Sequence, residues 1–136
     1  MIYSRYIYKP TESSTIMRDE ISDASYKGVE KAKDKARKFV GKIVAINQST
    51  SLVVGKLDSA EIDKLGPSHM QTCKLTLSKT KRYDLKSNFK FRDEYTVFLF
   101  VNKPESIISV EELEKLFPKV YEEVHINMKK GVWDGS

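Results

Sequence analysis

The chain has 136 residues, enough for one domain that removes roughly two thirds of its unfolded surface from water. Apolar residues (40%) are interspersed with charged residues (32%), which excludes a wholly disordered chain. A single cysteine, Cys73, excludes an intramolecular disulfide, and the longest apolar run, residues 97–101, is too short to span a membrane. Arg5 and Lys9 interrupt the run that a signal peptide would need, so a cytoplasmic protein is expected.

The net charge of +5 is unevenly distributed along the chain. Residues 27–42 carry a net +5 and residues 74–92 carry +6, whereas residues 93–128 carry −5. Charge separation of this kind governs association and steering rather than fold. The pattern therefore indicates a protein that meets a charged partner.

The first half of the chain predicts a strand, a helix and a hairpin. Residues 2–8 alternate in the manner of a strand. Apolar and small residues then recur at spacings of three and four, which predicts a helix from about residue 23 to Gly41. Residues 41–48 and 51–56 predict two strands joined by a turn. Apolar residues of both parities in the first of these two strands indicate cover on both of its faces.

The middle of the chain predicts a short helix and two strands. Ser59 is a suitable N-cap for a helix over residues 59–66. Residues 72–79 predict a half-buried strand with Cys73, Leu75 and Leu77 on one face, and residues 89–92 repeat the alternation. If these two strands pair, their solvent faces would form one basic patch.

The last third of the chain predicts a central strand, a helix and a final strand. Residues 94–102 are apolar at both parities, so a central strand is expected. Ser109 and Glu112 form an S-x-x-E capping box at the start of a helix, and Pro118 is expected to end it. Residues 124–128 alternate and predict the last strand.

These elements predict an α+β fold: a single mixed or antiparallel sheet with two main helices packed on one face. The whole chain, residues 1–136, is expected to form one domain, with residues 130–136 as a flexible tail.

Catalytic and cofactor sites have little support in the sequence. The histidine and cysteine residues do not cluster, so we expect no metal ion and no cofactor. No phosphate-binding loop or nucleophile motif is present, which favours a protein that is not an enzyme. One reaction remains as an alternative: RNA cleavage without a metal, with His69 or His125 as acid or base.

Binding to the backbone of RNA or DNA is the leading hypothesis, with little sequence discrimination. Lysine and arginine neutralise phosphates, and an exposed aromatic ring can stack on a base. A solvated helix face is the simpler explanation for part of the charge, since Asp34 and Lys38 form a favourable i, i+4 pair. The residues predicted to contact phosphate or base are Lys33, Lys35, Arg37, Lys38, Lys74, Arg82, Tyr83, Lys90 and Arg92.

Docking on a partner protein by complementary charge is the second hypothesis. The acidic segment, with Glu111 and Glu114, would face a basic partner. Trp133 would either anchor that interface or close the core of its own chain. The charge distribution would equally support association of two copies. If the fold places the two basic segments on opposite sides, a partner protein becomes the better prediction.

Overall fold

The computed structural model describes residues 27–63, 71–86 and 90–133, with only the backbone of residues 90–92. The predicted strand at residues 2–8 lies outside these ranges. The described chain forms one five-stranded antiparallel sheet with strand order β4-β3-β2-β1-β5. Its strands are β1 (Ile43–Asn47), β2 (Ser51–Asp63), β3 (Thr72–Asp84), β4 (Lys90–Val101) and β5 (Ile107–Ser109).

Three helices accompany the sheet, so the predicted α+β class with a single antiparallel sheet is confirmed. Helix α1 is described over residues 27–37. A 3₁₀ turn, Pro104–Ser106, connects β4 to β5, and α2 (Val110–Leu116) and α3 (Pro118–Lys129) follow. No helix within the described ranges has both the length and the apolar character needed to cross a membrane.

The hairpin between β1 and β2 forms where the sequence predicts it. Asn47 pairs with Leu52 across the turn, and Ser49 adopts a left-handed conformation with φ 70°. The side-chain oxygen of Asn47 accepts a hydrogen bond from the Ser49 amide at 3.0 Å, an Asx turn that stabilises this conformation.

Helices lie on both faces of the sheet, and the prediction of two helices on one face is not confirmed. Val44 and Ile46 of β1 belong to a core cluster with α1, whereas Ile43 and Ala45 belong to a second cluster with α2 and α3. Successive strand residues point to opposite faces, so these clusters mark an α1 face and an α2–α3 face. Apolar residues of both parities in β1 are therefore buried on both sides.

The predicted short helix at residue 59 is wrong for the residues described there. Residues 59–63 continue β2 and pair with residues 72–76 of β3. A residue that can cap a helix also fits an extended strand, and pairing with a long neighbouring strand decided the outcome.

The predicted last strand is also wrong, because residues 124–128 belong to α3. Val120 and Val124 are buried one helical turn apart, and Met128 packs against the same cluster. Helix α2 ends at Leu116, directly before Pro118 as predicted, and Pro118 also begins α3. The first turn tolerates proline because a backbone N–H at this position would have no intrahelical partner, so its absence costs nothing.

The capping box is confirmed at the start of α2. Ser109 Oγ accepts a hydrogen bond from the Glu112 amide at 3.1 Å, and Glu112 Oε1 accepts one from the Ser109 amide at 3.2 Å. Both contacts satisfy amide groups that a helix start leaves without intrahelical partners.

Among the described strands, β4 lies at one edge of the sheet, so its predicted central position is not confirmed. It pairs only with β3 among the described strands. Apolar residues at both of its parities are therefore not explained by burial on both faces.

Candidate interaction surface

The basic residues of α1 are partly engaged in contacts within the chain. Lys35 Nζ donates a hydrogen bond to the Pro104 carbonyl at 3.3 Å and lies 3.4 Å from the carboxylate of Glu112. Lys33 Nζ lies 3.1 Å from Glu30. Arg37 and Lys38 are exposed. Of the four cations predicted on this helix, two thus remain open to an anionic partner.

Lys74, Lys81 and Arg82 of β3 each lie beside a carboxylate. Lys74 Nζ is 4.0 Å from Glu61, and Lys81 Nζ is 3.2 Å from Asp93. These pairs reduce the positive potential that the sequence count suggested.

Arg82 is the most constrained of these cations. Its Nε lies 3.1 Å from Glu94 Oε1, and its Nη1 donates a hydrogen bond to Ser51 Oγ at 3.0 Å. Its side chain is only 17% exposed. A phosphate could reach Arg82 only by competing with a well-placed carboxylate.

The fold does not unite the predicted basic segments. Lys74 lies on the α2–α3 face, because it alternates with Cys73 and Leu75 of the opposite cluster. Arg82 pairs with Val53 and so lies on the α1 face, but eight residues along β3 from Lys74, roughly 25 Å. The backbones of Lys90 and Arg92 pair at that same far end. The single basic patch predicted from strand pairing therefore does not form.

Tyr83 is not available for base stacking. Its side chain is fully buried in the cluster beneath α2 and α3. Burial, and then the nearby carboxylate of Glu123, raise the pKa of Tyr83 above its ordinary value. The prediction of Tyr83 as a base contact is therefore wrong, because β3 continues to Asp84 and the Tyr83 side chain faces the core.

Trp133 is also unavailable to a partner. Its side chain is 2% exposed, and Nε1 donates a hydrogen bond to the Lys79 carbonyl at 2.9 Å. Trp133 closes the core of its own chain, which is the other alternative drawn from the sequence. Glu111 and Glu114, the acidic residues predicted beside it, are exposed on α2.

The structure places only one of the two histidines, His125, among the described residues, so it shows no pair of histidines for catalysis there. His125 is exposed on α3, where its ring stacks on Tyr121 with 5.6 Å between centroids. His69 lies outside the described residues. Within the described ranges, no three histidine, cysteine or acidic residues come together as a metal site.

The α2–α3 face is covered over only part of the sheet. Its core cluster takes Leu52 and Val54 from β2, Tyr83 from β3, and no residue from β4. Beyond this cluster lies a stretch that no described helix packs against, which we call the open half. Its outward residues are Ser59, Glu61, Lys74, Thr76, Ser78, Thr96, Phe98 and Phe100.

Two phenylalanines dominate the open half. Phe98 is 56% exposed and Phe100 48%, whereas Leu99 between them is buried on the α1 face. In the register of the sheet, Phe98 lies opposite Thr76 and Phe100 opposite Lys74. Lys74 Nζ is 4.7 Å from the centre of the Phe98 ring, within cation–π range.

The outer edge of β4, which pairs with none of the described strands beyond β3, borders the same two rings. Residues 95–101, YTVFLFV, contain no charged residue, glycine or proline. Tyr95 at its start is 92% exposed. Edge strands normally carry such interrupting residues, because unpaired backbone groups attract other strands.

Sequence reasoning did not find Phe98 or Phe100. The apolar residues at both parities of β4 were a usable signal, but they indicated a central strand. Only the strand order shows that one of the two apolar faces is left uncovered.

No family, curated protein or solved structure matches this chain in the three comparisons made.

Proposed function

We propose that the protein is a non-enzymatic interaction protein whose open half binds a partner protein. The observation that carries the proposal is the pair of exposed rings, Phe98 and Phe100, on a part of the sheet that no described helix covers, beside an edge that no further described strand pairs with. Large apolar side chains grouped at a surface indicate a protein contact, whereas scattered ones do not. Aromatic residues are also enriched at the centres of interfaces.

The composition around the rings resembles that of a protein interface. Hydroxyl residues Thr76 and Thr96 lie beside the rings, and Lys74 lies opposite Phe100 with its ammonium 4.7 Å from the centre of the Phe98 ring. A buried aromatic centre with a polar rim is the usual anatomy of such interfaces. Burial of the open half would remove Lys74 from water together with its partner Glu61, whose carboxylate lies 4.0 Å away.

Charge on this surface favours a protein over a nucleic acid. By strand register, Lys56 and Lys74 share the face with Glu61, and Asp58 accepts a hydrogen bond from Ser78 Oγ there. Two cations are thus balanced by two carboxylates. Binding of single-stranded nucleic acid requires a clearly positive groove beside the stacking rings. The exposed cations Arg37 and Lys38 belong to the other side of the sheet.

The proposal is tested by capture from a lysate of the producing cells, with and without nuclease. The protein is compared with Phe98→Ser/Phe100→Ser and with Leu116→Ser/Ile126→Ser, a matched control that removes two exposed apolar residues from α2 and α3. Circular dichroism and Trp133 fluorescence check that each variant is folded.

We expect the protein to retain a partner protein after nuclease treatment, the β4 variant to lose it, and the control to keep it. Two results contradict the proposal: recovery that nuclease abolishes, which would indicate nucleic acid, and recovery that the β4 variant leaves unchanged.

A further inference from the structure

We infer that the partner is a second copy of this chain, and that the two copies pair their β4 strands antiparallel to each other. This inference rests on the proposed function, because it names the protein that the open half binds. It would join two five-stranded sheets into one continuous sheet.

The two edges of the described sheet differ in a way that points to β4. The β5 edge has three residues and continues directly into α2 at Ser109. The β4 edge has 12 residues, and its segment 95–101 carries none of the residues that discourage pairing. The β5 edge is thus short, whereas the β4 edge is long enough and apolar enough to pair with another strand.

Antiparallel pairing of identical strands is self-complementary. A two-fold axis makes each contact occur twice, so a strand suited to its own copy gains both contacts at once. With the axis at Phe98, this ring faces Phe98 of the second copy, and Thr96 faces Phe100. Directly opposite and diagonal aromatic pairs stabilise antiparallel sheets.

Charge selects this register over its neighbours. With Phe98 on the axis, the exposed Asp93 of one copy lies opposite the exposed Lys103 of the other. A slip that moves the axis to Leu99 would place Asp93 against the 3₁₀ turn Pro104–Ser106, which is not extended and cannot continue the strand pairing. A slip to Val97 would place Asp93 opposite Val101. All three arrangements keep the rings on one face, but only the first places Asp93 opposite a cation.

The contact is small, and this sets its expected strength. About 11 residues from each copy take part, fewer than the roughly 20 to 30 of a standard interface. We therefore expect a dimer that dissociates on dilution.

Sedimentation velocity measures the association directly. We expect the protein to change from monomer to dimer between about 1 μM and about 200 μM, a range in which a weak complex is partly dissociated. Phe98→Ser should shift the midpoint to at least about tenfold higher concentration, equivalent to about 1.4 kcal/mol. Leu116→Ser, on the far side of α2, should leave it unchanged.

Disulfide trapping tests the register. In Thr96→Cys/Phe100→Cys, the cysteine at position 96 of one copy lies opposite the cysteine at position 100 of the other. Their separation is one that a disulfide can bridge. Thr96→Cys alone lies opposite Phe100 and should not cross-link. Cys73 gives little background because it is buried, and burial raises the pKa of its thiol to about 11 despite Lys33 and Arg37 nearby. We expect a covalent dimer only from the double variant.

The outcomes separate this inference from the proposed function. A chain that stays monomeric at every concentration overturns the inference, yet the proposed function stands if a different protein is captured through Phe98 and Phe100. A dimer unaffected by Phe98→Ser overturns it as well. So does a monomer whose β4 amides resist hydrogen exchange, since another segment of the same chain would then cover the edge.

Discussion

Trp133 connects the end of the chain to the bulged part of β3. Lys79, whose carbonyl accepts the indole hydrogen bond, has a left-handed backbone with φ 52°. The contact therefore fixes both the residues after α3 and an irregular point in the sheet. It also makes the single tryptophan of the chain a reporter of the folded core.

Replacement of Trp133 should destabilise the protein strongly. Trp133→Ala removes a buried ring and should lower the free energy of unfolding by about 3 to 5 kcal/mol. Trp133→Phe keeps much of the apolar contact but leaves the Lys79 carbonyl without its donor, for a loss of about 1 to 2 kcal/mol. Urea denaturation followed by circular dichroism measures both. A loss below about 1 kcal/mol for Trp133→Ala would contradict the burial described.

Glu112 should make stability depend on pH in the acid range. Burial alone would raise its pKa, but the Ser109 amide and then Lys35 hold it below the ordinary value of 4.5. The folded state therefore binds fewer protons than the unfolded state. This stabilisation is complete above pH 4.5 and is lost as the pH falls through the folded-state pKa.

The midpoint of urea denaturation should thus fall on acidification below pH 4.5, and less steeply in Glu112→Gln than in the unmodified protein. Glu114→Gln, which removes an exposed carboxylate from the same helix, is the control and should follow the unmodified protein. Equal pH profiles for Glu112→Gln and the unmodified protein would refute this role.

At the scale of elements, the sequence correctly predicted the features that depend only on contacts between residues close together in the chain. The β1–β2 hairpin and the capping box at Ser109 depend on contacts within a few residues, and both form as predicted. Residues 59–63 and 124–128 were assigned to the wrong element type. In residues 124–128, alternation over five residues concealed a four-residue spacing that begins earlier, at Val120.

The position of β4 could not be predicted, because strand order depends on contacts far apart in the chain. Residues with apolar side chains at both parities fit a central strand or an edge strand with an exposed apolar face. The sequence contains Phe98 and Phe100 but does not show which elements lie next to them in the fold. For the same reason, the separation of Lys74 from the α1 cations was visible only in the structure.

The contact between α1 and the end of β4 yields a prediction with an unusual sign. A Cβ atom on Gly28 would clash with the backbone carbonyl oxygen of Asn102. Gly to Ala in a helix interior normally stabilises by about 1 kcal/mol. Here Gly28→Ala should destabilise instead, by about 1 to 3 kcal/mol, because α1 must move off the sheet.

Thermal unfolding of Gly28→Ala compared with the unmodified protein measures this effect. Lys31→Ala, at an exposed position of the same helix, is the control and should change stability by less than about 0.5 kcal/mol. A gain in stability for Gly28→Ala would show that the helix and the strand end are not in close contact.

At the scale of the whole molecule, the sheet separates the exposed cations of α1 from the aromatic surface. The exposed cations of α1 lie on one side, and the open half with Phe98 and Phe100 lies on the other. The acidic residues Glu111 and Glu114 lie on α2, beside the covered part of that second side. The condition set by the sequence, basic segments on opposite sides, is met by Lys74 but not by Arg82, which lies on the α1 face. The separation of Lys74 from the α1 cations favours a partner protein over a nucleic acid.

The most direct test of the account is hydrogen–deuterium exchange of the full chain at low and high protein concentration. The account predicts that residues 94–101 of β4 exchange more slowly at high concentration, whereas α1 and α2 do not change. Addition of single-stranded RNA at low protein concentration should leave β4 unaffected. Unchanged exchange in β4 at every concentration, together with RNA-dependent protection of β4 or α1, would contradict the account.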